Sequence, residues 1–249
     1  MTMTTTPSQA PRPTTAKRTA AFLSGVVAAT VALAVPTASA YINPPMPSPK
    51  TIMVERTAYS VPVTDAATLL IKTEDGLGTG FHVGNGRIVT AAHVVKGYDV
   101  VTIKTYDGRV ATAKVVAFDE AQDLAVLVTI LHMMQAEMDC RPASVGDAIM
   151  AIGNPMGQEF VSAFGRIAGA PRELHARSVY VTDMTTVMGM SGGPVFRDGK
   201  VIGVTSAVML APLKNGESYV PTIISFGFVV PSAGACKMLA ELPAEGGSA

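Results

Sequence analysis

From residue 51 onward the chain is written in short runs of β-branched and aliphatic residues, cut at intervals by Gly, Asp-Gly and Asn-Gly. ATLLIKT stops before Glu74-Asp75-Gly76, GFHVG before Asn85-Gly86, RIVTAA follows that turn, and VVTIKTY stops before Asp107-Gly108. Asn-Gly and Asp-Gly suit the backbone of tight hairpins, so this punctuation predicts antiparallel β structure. The second half repeats it in DAIMAIG, VSAFGRIAG, SVYVTD, PVFRDGKVIGVTSAV and IISFGFVV. Two β units are expected, joined around residues 130–144. Only residues 232–242, SAGACKMLAEL, read as a helix, with Ser232 as its N-cap.

The pattern before residue 51 is different. A polar lead carrying Arg12, Lys17 and Arg18 runs into an apolar stretch over residues 20–35 and ends in Ala38-Ser39-Ala40. A positive start, a greasy middle and a small-x-small ending predict a signal peptide, residues 1–40, cleaved after Ala40. The alternative is an uncleaved anchor. The apolar stretch is 16 residues long and contains Ser24, Gly25 and Thr30, whereas a spanning helix needs about 20 largely apolar residues. Export to a periplasm or beyond, with no stable membrane anchor, is therefore expected. Residues 41–50, YINPPMPSPK, read as an extended Pro-rich tether, with the folded domain over residues 51–249.

Composition narrows the function. The 249 residues are 48% apolar and 15% charged, enough to bury a substantial core. Nineteen basic residues match nineteen acidic ones and no dense Lys/Arg run occurs, which argues against a nucleic-acid partner. Removing residues 1–40 takes away three bases and no acids, leaving 16 basic against 19 acidic residues. Cys140 and Cys236 survive that cut and would meet an oxidising compartment, where such thiols are often paired. Two buried free cysteines are the alternative. The two cysteines and four scattered histidines suggest no metal site, and no cofactor is expected.

Three segments carry chemistry: Thr90-Ala91-Ala92-His93-Val94-Val95, Asp123-Leu124-Ala125-Val126-Leu127, and Gly189-Met190-Ser191-Gly192-Gly193-Pro194. A serine hydroxyl needs a base to take its proton, and imidazole has a suitable pKa. The imidazole in turn needs a carboxylate to fix its tautomer and to support its positive form. Of the acids near the second segment, only Asp123 directly precedes the apolar LAVL run; Asp119 and Glu120 do not. His82, His132 and His175 lack such a context and read as structural or surface residues. The chain order His, Asp, Ser differs from that of subtilisins and α/β-hydrolases.

Together these segments resemble the chymotrypsin/trypsin-like serine protease family, and TAAHVV, DLAVL and GMSGGP look most like its bacterial Deg/HtrA-type branch. Gly153-Asn154-Pro155-Met156-Gly157 and Gly227-Phe228-Val229-Val230-Pro231 add to the likeness, which runs from about residue 67 to the end. The resemblance implies an all-β fold of two six-stranded antiparallel β-barrels, over about residues 51–135 and 140–232, with a short C-terminal helix over about 232–243. It implies a serine endopeptidase acting on a polypeptide through His93, Asp123 and Ser191, with the amides of Gly189 and Ser191 as the oxyanion hole. A non-catalytic binder or chaperone on the same fold, or an esterase, is the alternative. The PDZ domain common in Deg-type proteins is not expected, because eighteen residues follow Pro231.

The same resemblance assigns finer roles. Ser206 matches a strand serine that supports the triad aspartate, although an ordinary strand serine reads the same way. Thr185 falls at the base of the primary specificity pocket, and its neutrality argues against Lys or Arg at the cleaved bond. Val208 and Gly227 fall on the pocket walls, and the branched Val208 predicts a preference for small or medium aliphatic residues. Met190 departs from the pattern, since pancreatic-type relatives carry Asp there and Deg-type relatives usually Asn. Methionine can make neither an ion pair with a new N-terminus nor an amide hydrogen bond, so the loop is expected to be shaped by packing with Met184 and Met188. Some members carry a bridge of the Cys140–Cys236 topology, which would staple the helix over the inter-barrel connection.

Overall fold

The hairpin chemistry is where the sequence pattern becomes structure. In the computed structural model, which describes residues 63–174, 177–215 and 218–243, Asn85 and Gly86 have φ of 50° and 66°. The Arg87 amide donates to the Gly84 carbonyl at 2.9 Å across them. Positive φ at both central residues is the type I′ turn, whose twist matches that of the flanking strands. The signal peptide, the Pro-rich tether, the expected domain start at residue 51 and His175 lie outside the described residues.

A short helix α1 (Val63–Ala67) leads into β1 (Thr68–Lys72), β2 (Leu77–His82) and β3 (Arg87–Thr90). A single helical turn, α2 (Ala92–Val95), is followed by β4 (Val100–Thr105), β5 (Val110–Asp119) and β6 (Leu124–Val128). The second half contains β7 (Ala148–Gly153), a 3-10 turn (Pro155–Gly157), β8 (Val161–Leu174) and β9 (Arg177–Thr182). It ends with β10 (Pro194–Arg197), β11 (Lys200–Asn215), β12 (Ser218–Pro231) and α3 (Ser232–Glu241). The strands close into two six-stranded barrels, β1-β2-β3-β6-β5-β4 and β7-β8-β9-β12-β11-β10. The two circuits have the same topology, all antiparallel, as the family resemblance implied.

Period-two alternation explains why the barrels stick together. In β6, Ala125 and Leu127 point into the first barrel with Leu69, Ile71, Ile88 and Ile103. The intervening Leu124 and Val126 face outward, where they join Phe81, Val89, Ile152, Val204, Phe228 and Ala235 in a second buried cluster. Successive residues of one strand thus serve two cores, the barrel interior and the seam between barrels and helix. A third cluster, including Ile149, Ile167, Tyr180, Met184, Met190 and Ile202, fills the second barrel.

The structure corrects one local expectation and adds one feature. Ser232 is the first residue of α3 and not its N-cap, which is Pro231 with no side-chain cap bond. The Ser232 hydroxyl donates instead to the Asp139 carbonyl at 2.5 Å, tying the helix to the connection between the barrels. Also, β11 and β12 continue well past the barrel as a ribbon whose last pair is Asn215 with Ser218. Leu210, Leu213, Tyr219, Val220 and Ile223 on it are exposed, so no amphipathic alternation in the sequence announced it.

Cys140 in the connection is bonded to Cys236 in α3, closing a loop across a sequence separation of 96 residues. A cross-link over so long a loop removes much freedom from the unfolded chain. Replacing both cysteines by serine should lower the unfolding free energy by about 2–4 kcal/mol. The measurement is a urea titration, read as a lower midpoint with a steeper slope, because the unfolded chain without its cross-link exposes more surface.

Candidate active site

In the first barrel β3 and β6 are neighbours, with Thr90 opposite Ala125. Antiparallel neighbours run in opposite senses, so residues just past the end of β3 fall beside those just before β6. His93 on α2 and Asp123 occupy those places. The other acids point elsewhere: Asp119 accepts the Gln122 amide inside the turn, and Glu120 pairs with Lys96 at the surface. Asp123 has a φ of 55°, a left-handed conformation uncommon outside glycine. That turn of the backbone sends its side chain inward, where the residue is 3% exposed.

The carboxylate is held from both barrels. The His93 amide donates to Oδ1 at 3.0 Å, and ring Nδ1 lies 2.9 Å from Oδ1 and 3.0 Å from Oδ2. A carboxylate can only accept, so Nδ1 of the neutral ring carries the proton and Nε2 is left with its lone pair. From the second barrel, the Ser206 hydroxyl donates to Oδ2 at 2.5 Å. Ser206 sits where the β11–β12 register shifts between Thr205 and Ala207, and such a bulge re-aims a side chain. Burial pushes the Asp123 carboxyl up, but hydrogen bonds from His93 and Ser206 outweigh it and hold the group below its usual value. Arg177, which sequence reasoning missed, adds its Nη1 at 3.6 Å from Oδ2.

Ser191 lies in the loop between β9 and β10, and His93 and Ser191 line one cleft of about 330 Å³ together with Met188 and Gly189. The Ser191 hydroxyl is turned toward the Ser206 carbonyl, at 3.3 Å. Among the described hydrogen bonds none joins it to the His93 ring.

The loop before Ser191 is a turn in which the Met190 amide donates to the Val187 carbonyl at 3.2 Å. Gly189 has a φ of 95° as its third residue, as a type II turn requires. A Cβ on Gly189 would stand 2.2 Å from the Asn154 carbonyl oxygen, and one on Gly192 2.2 Å from that of Thr79. Neither position can hold a side chain. The amides of Gly189 and Ser191 donate to no protein acceptor among the described hydrogen bonds. Met190 is buried with Met184 in the second barrel, but Met188 is 66% exposed. The expected packing of Met188 is therefore corrected: its carbonyl is what is held, by the Met156 amide at 2.9 Å.

Residues 78–204 match the family model of the trypsin-like peptidase domain. The chain belongs to that family. A stretch of 162 residues is 35% identical to the probable periplasmic serine endoprotease DegP-like of Halomonas elongata, covering 62% of this chain and 34% of that protein. Against the serine protease Do-like HtrA of Bacillus subtilis the identity is 32% over 192 residues, covering 70% of this chain and 41% of that protein. The chain thus spans less than half the length of these curated relatives. The solved HtrA-type protease AlgW with tripeptide matches with a TM-score of 0.62 at 26% identity, covering 71% of this chain and 60% of that one.

The residues expected to shape a specificity pocket are only partly gathered. Val208 and Gly227 face each other as a cross-strand pair. Thr185 is exposed, whereas its neighbour Thr186 is buried. A Cβ on Gly227 would lie 2.4 Å from Thr186 Oγ1, so Thr186, not Thr185, crowds that wall. A second cleft, about 520 Å³ and lined by His93, Phe118, Asp123, Arg177, Ser206 and Ala207, adjoins the first through His93. His82 is buried with Nδ1 2.9 Å from the Met134 carbonyl, and His132 is exposed; neither lines these two clefts.

Because the folded-state pKa of Asp123 is depressed, its ionised form stabilises the fold above about pH 4 and that contribution fades as pH falls through the folded value. Removing one donor in Ser206→Ala should raise the Asp123 pKa and move the fading to higher pH. Carbon-13 NMR titration of the carboxyl and acid unfolding of the two proteins would measure both effects.

Proposed function

We propose that the chain is a serine endopeptidase that hydrolyses peptide bonds through an acyl-enzyme on Ser191. One observation carries the reading: the His93 ring is bonded to a buried, ionised Asp123 at a cleft that Ser191 also lines. In the reaction the Ser191 hydroxyl rotates onto Nε2 of His93 and gives up its proton as Oγ attacks the scissile carbonyl. Asp123 keeps Nδ1 protonated and balances the imidazolium without taking the proton. The carbonyl oxygen, now negative, accepts from the free amides of Gly189 and Ser191. Imidazolium then protonates the leaving amine, and water repeats the steps in reverse to free the acid.

Substrate selection follows from the walls. Half-buried Val208 opposite Gly227, with Thr186 filling the adjoining space, supports acyl-side residues of small or medium aliphatic size. With neutral Thr185 and Thr186 there, a Lys or Arg side chain would lack a carboxylate partner. Export by a cleaved leader fits the amino-terminal pattern, and the Halomonas relative is named periplasmic.

A fluorophosphonate should label the protein, Ser191→Ala should abolish both labelling and casein hydrolysis, and new termini mapped in a digested proteome should follow Ala, Val or Ile. Labelling without casein cleavage would make the protein an esterase; no labelling would leave a binding protein. Gly189→Ala keeps the N–H, but its Cβ would meet the Asn154 carbonyl at 2.2 Å and push the loop aside, so kcat should fall by about 10²–10³-fold, as when an oxyanion donor is lost. Single-turnover kinetics on a peptide anilide would measure it.

A further inference from the structure

Thr79 on β2 is fully buried, as is Asn154. Its backbone amide donates to the Ser191 carbonyl at 2.8 Å, and its hydroxyl donates to the Gly189 carbonyl at 2.7 Å. The same hydroxyl accepts from the Asn154 amide at 3.1 Å and from Asn154 Nδ2 at 2.9 Å. A hydroxyl has one proton and two lone pairs. Since a carbonyl can only accept, the proton must go to Gly189, and the two Asn154 donors fill the rest. Asn154 is itself oriented, because its Oδ1 accepts the Phe160 amide at 3.1 Å.

The four carbonyls from Met188 to Ser191 are thereby occupied. The Met156 amide holds Met188, Thr79 holds Ser191 and, with the Asn154 amide at 3.4 Å, Gly189, and the Gly193 amide holds Met190 at 3.0 Å. In a trans peptide unit the C=O of one residue points opposite the N–H of the next, so the Met156 and Gly193 amides fix the two planes that carry the Gly189 and Ser191 N–H groups, while Thr79 fixes the Gly189–Met190 plane between them and the Ser191–Gly192 plane after them. Met190 supplies no polar side chain for that purpose. Thr79 also reaches the histidine segment, for its carbonyl accepts the Thr90 hydroxyl at 2.7 Å, three residues before His93.

We propose that Thr79, with Asn154 behind it, is the positioning residue of the oxyanion loop, a polar clamp from the first barrel that does the work the side chain at Met190 cannot do. The assignment rests on the reading of Gly189 and Ser191 as oxyanion donors. The clamp acts on the transition state through backbone direction and touches no substrate. Its loss therefore falls on kcat and leaves KM nearly unchanged.

The test uses the full chain with Thr79→Val, which keeps the shape and removes the donor, Thr79→Cys, a weak donor, and Thr79→Ser, which restores the hydroxyl. On a peptide anilide with Val at the acyl side, kcat should follow Thr ≈ Ser > Cys > Val. The Val variant should lose about 10²-fold, within the effect of a misplaced oxyanion donor, with KM changed by less than about threefold. Affinity for a peptide aldehyde, which forms a tetrahedral adduct with the serine, should fall in parallel with kcat/KM. Should the Val variant not fold, the Ser and Cys variants decide, and equal kcat for those two overturns the proposal. So does a Val variant with wild-type kcat, or one whose loss lies in KM alone, and in that case the wild-type activity shows the proposed function intact. A wild-type protein with no Ser191-dependent hydrolysis overturns both.

Discussion

A buried carboxylate must be given its hydrogen bonds by the protein around it, and at Asp123 those donors come from both barrels. His93 supplies two from the first and Ser206 one from the second. Leaving one acceptor unpaired in a low-dielectric site costs more than the bond itself gains. The barrels are therefore held in the one relative placement that satisfies Asp123. The same placement sets the imidazole beside the cleft where Ser191 lies.

The seam between the barrels makes this placement affordable. Leu124 and Val126 flank Ala125 on the strand that follows Asp123, and bury their side chains against Phe228, Val204 and Ala235 of the other half. Nonpolar burial supplies the bulk attraction without direction. The Asp123 bonds and the Thr79 contacts to Gly189 and Ser191 supply direction with little bulk. The Ser191 hydroxyl rests against the Ser206 carbonyl, and the backbone carbonyls beside it, from Met188 to Ser191, are all bonded.

Much of this was legible in the chain. Alternation with Asn-Gly and Asp-Gly turns marked the β units, because hairpin turns demand left-handed backbone that few residues adopt. The segments around His93, Asp123 and Ser191 stood out by residue type and order. Met190 stood out by departing from the expected polar residue, and its burial with Met184 followed. Thr79 and Asn154 were harder. A threonine between two glycines on a strand has no distinctive spacing, and Asn154 was visible only as part of a Gly-Asn-Pro turn whose purpose the sequence does not state.

What the sequence determined by itself is local: which segments are strands, where they turn, and which side chains have the chemistry of base, carboxylate and nucleophile. These depend on propensities and periodicities within a few residues. Tertiary structure alone decided that Thr186 and not Thr185 crowds Gly227, that Ser232 bonds to Asp139 instead of capping its helix, and that Thr79 grips the loop at Ser191. Each is a contact between residues distant in the chain or a choice of which neighbour points inward. Such contacts depend on strand register and a few ångströms of packing, which no local pattern encodes.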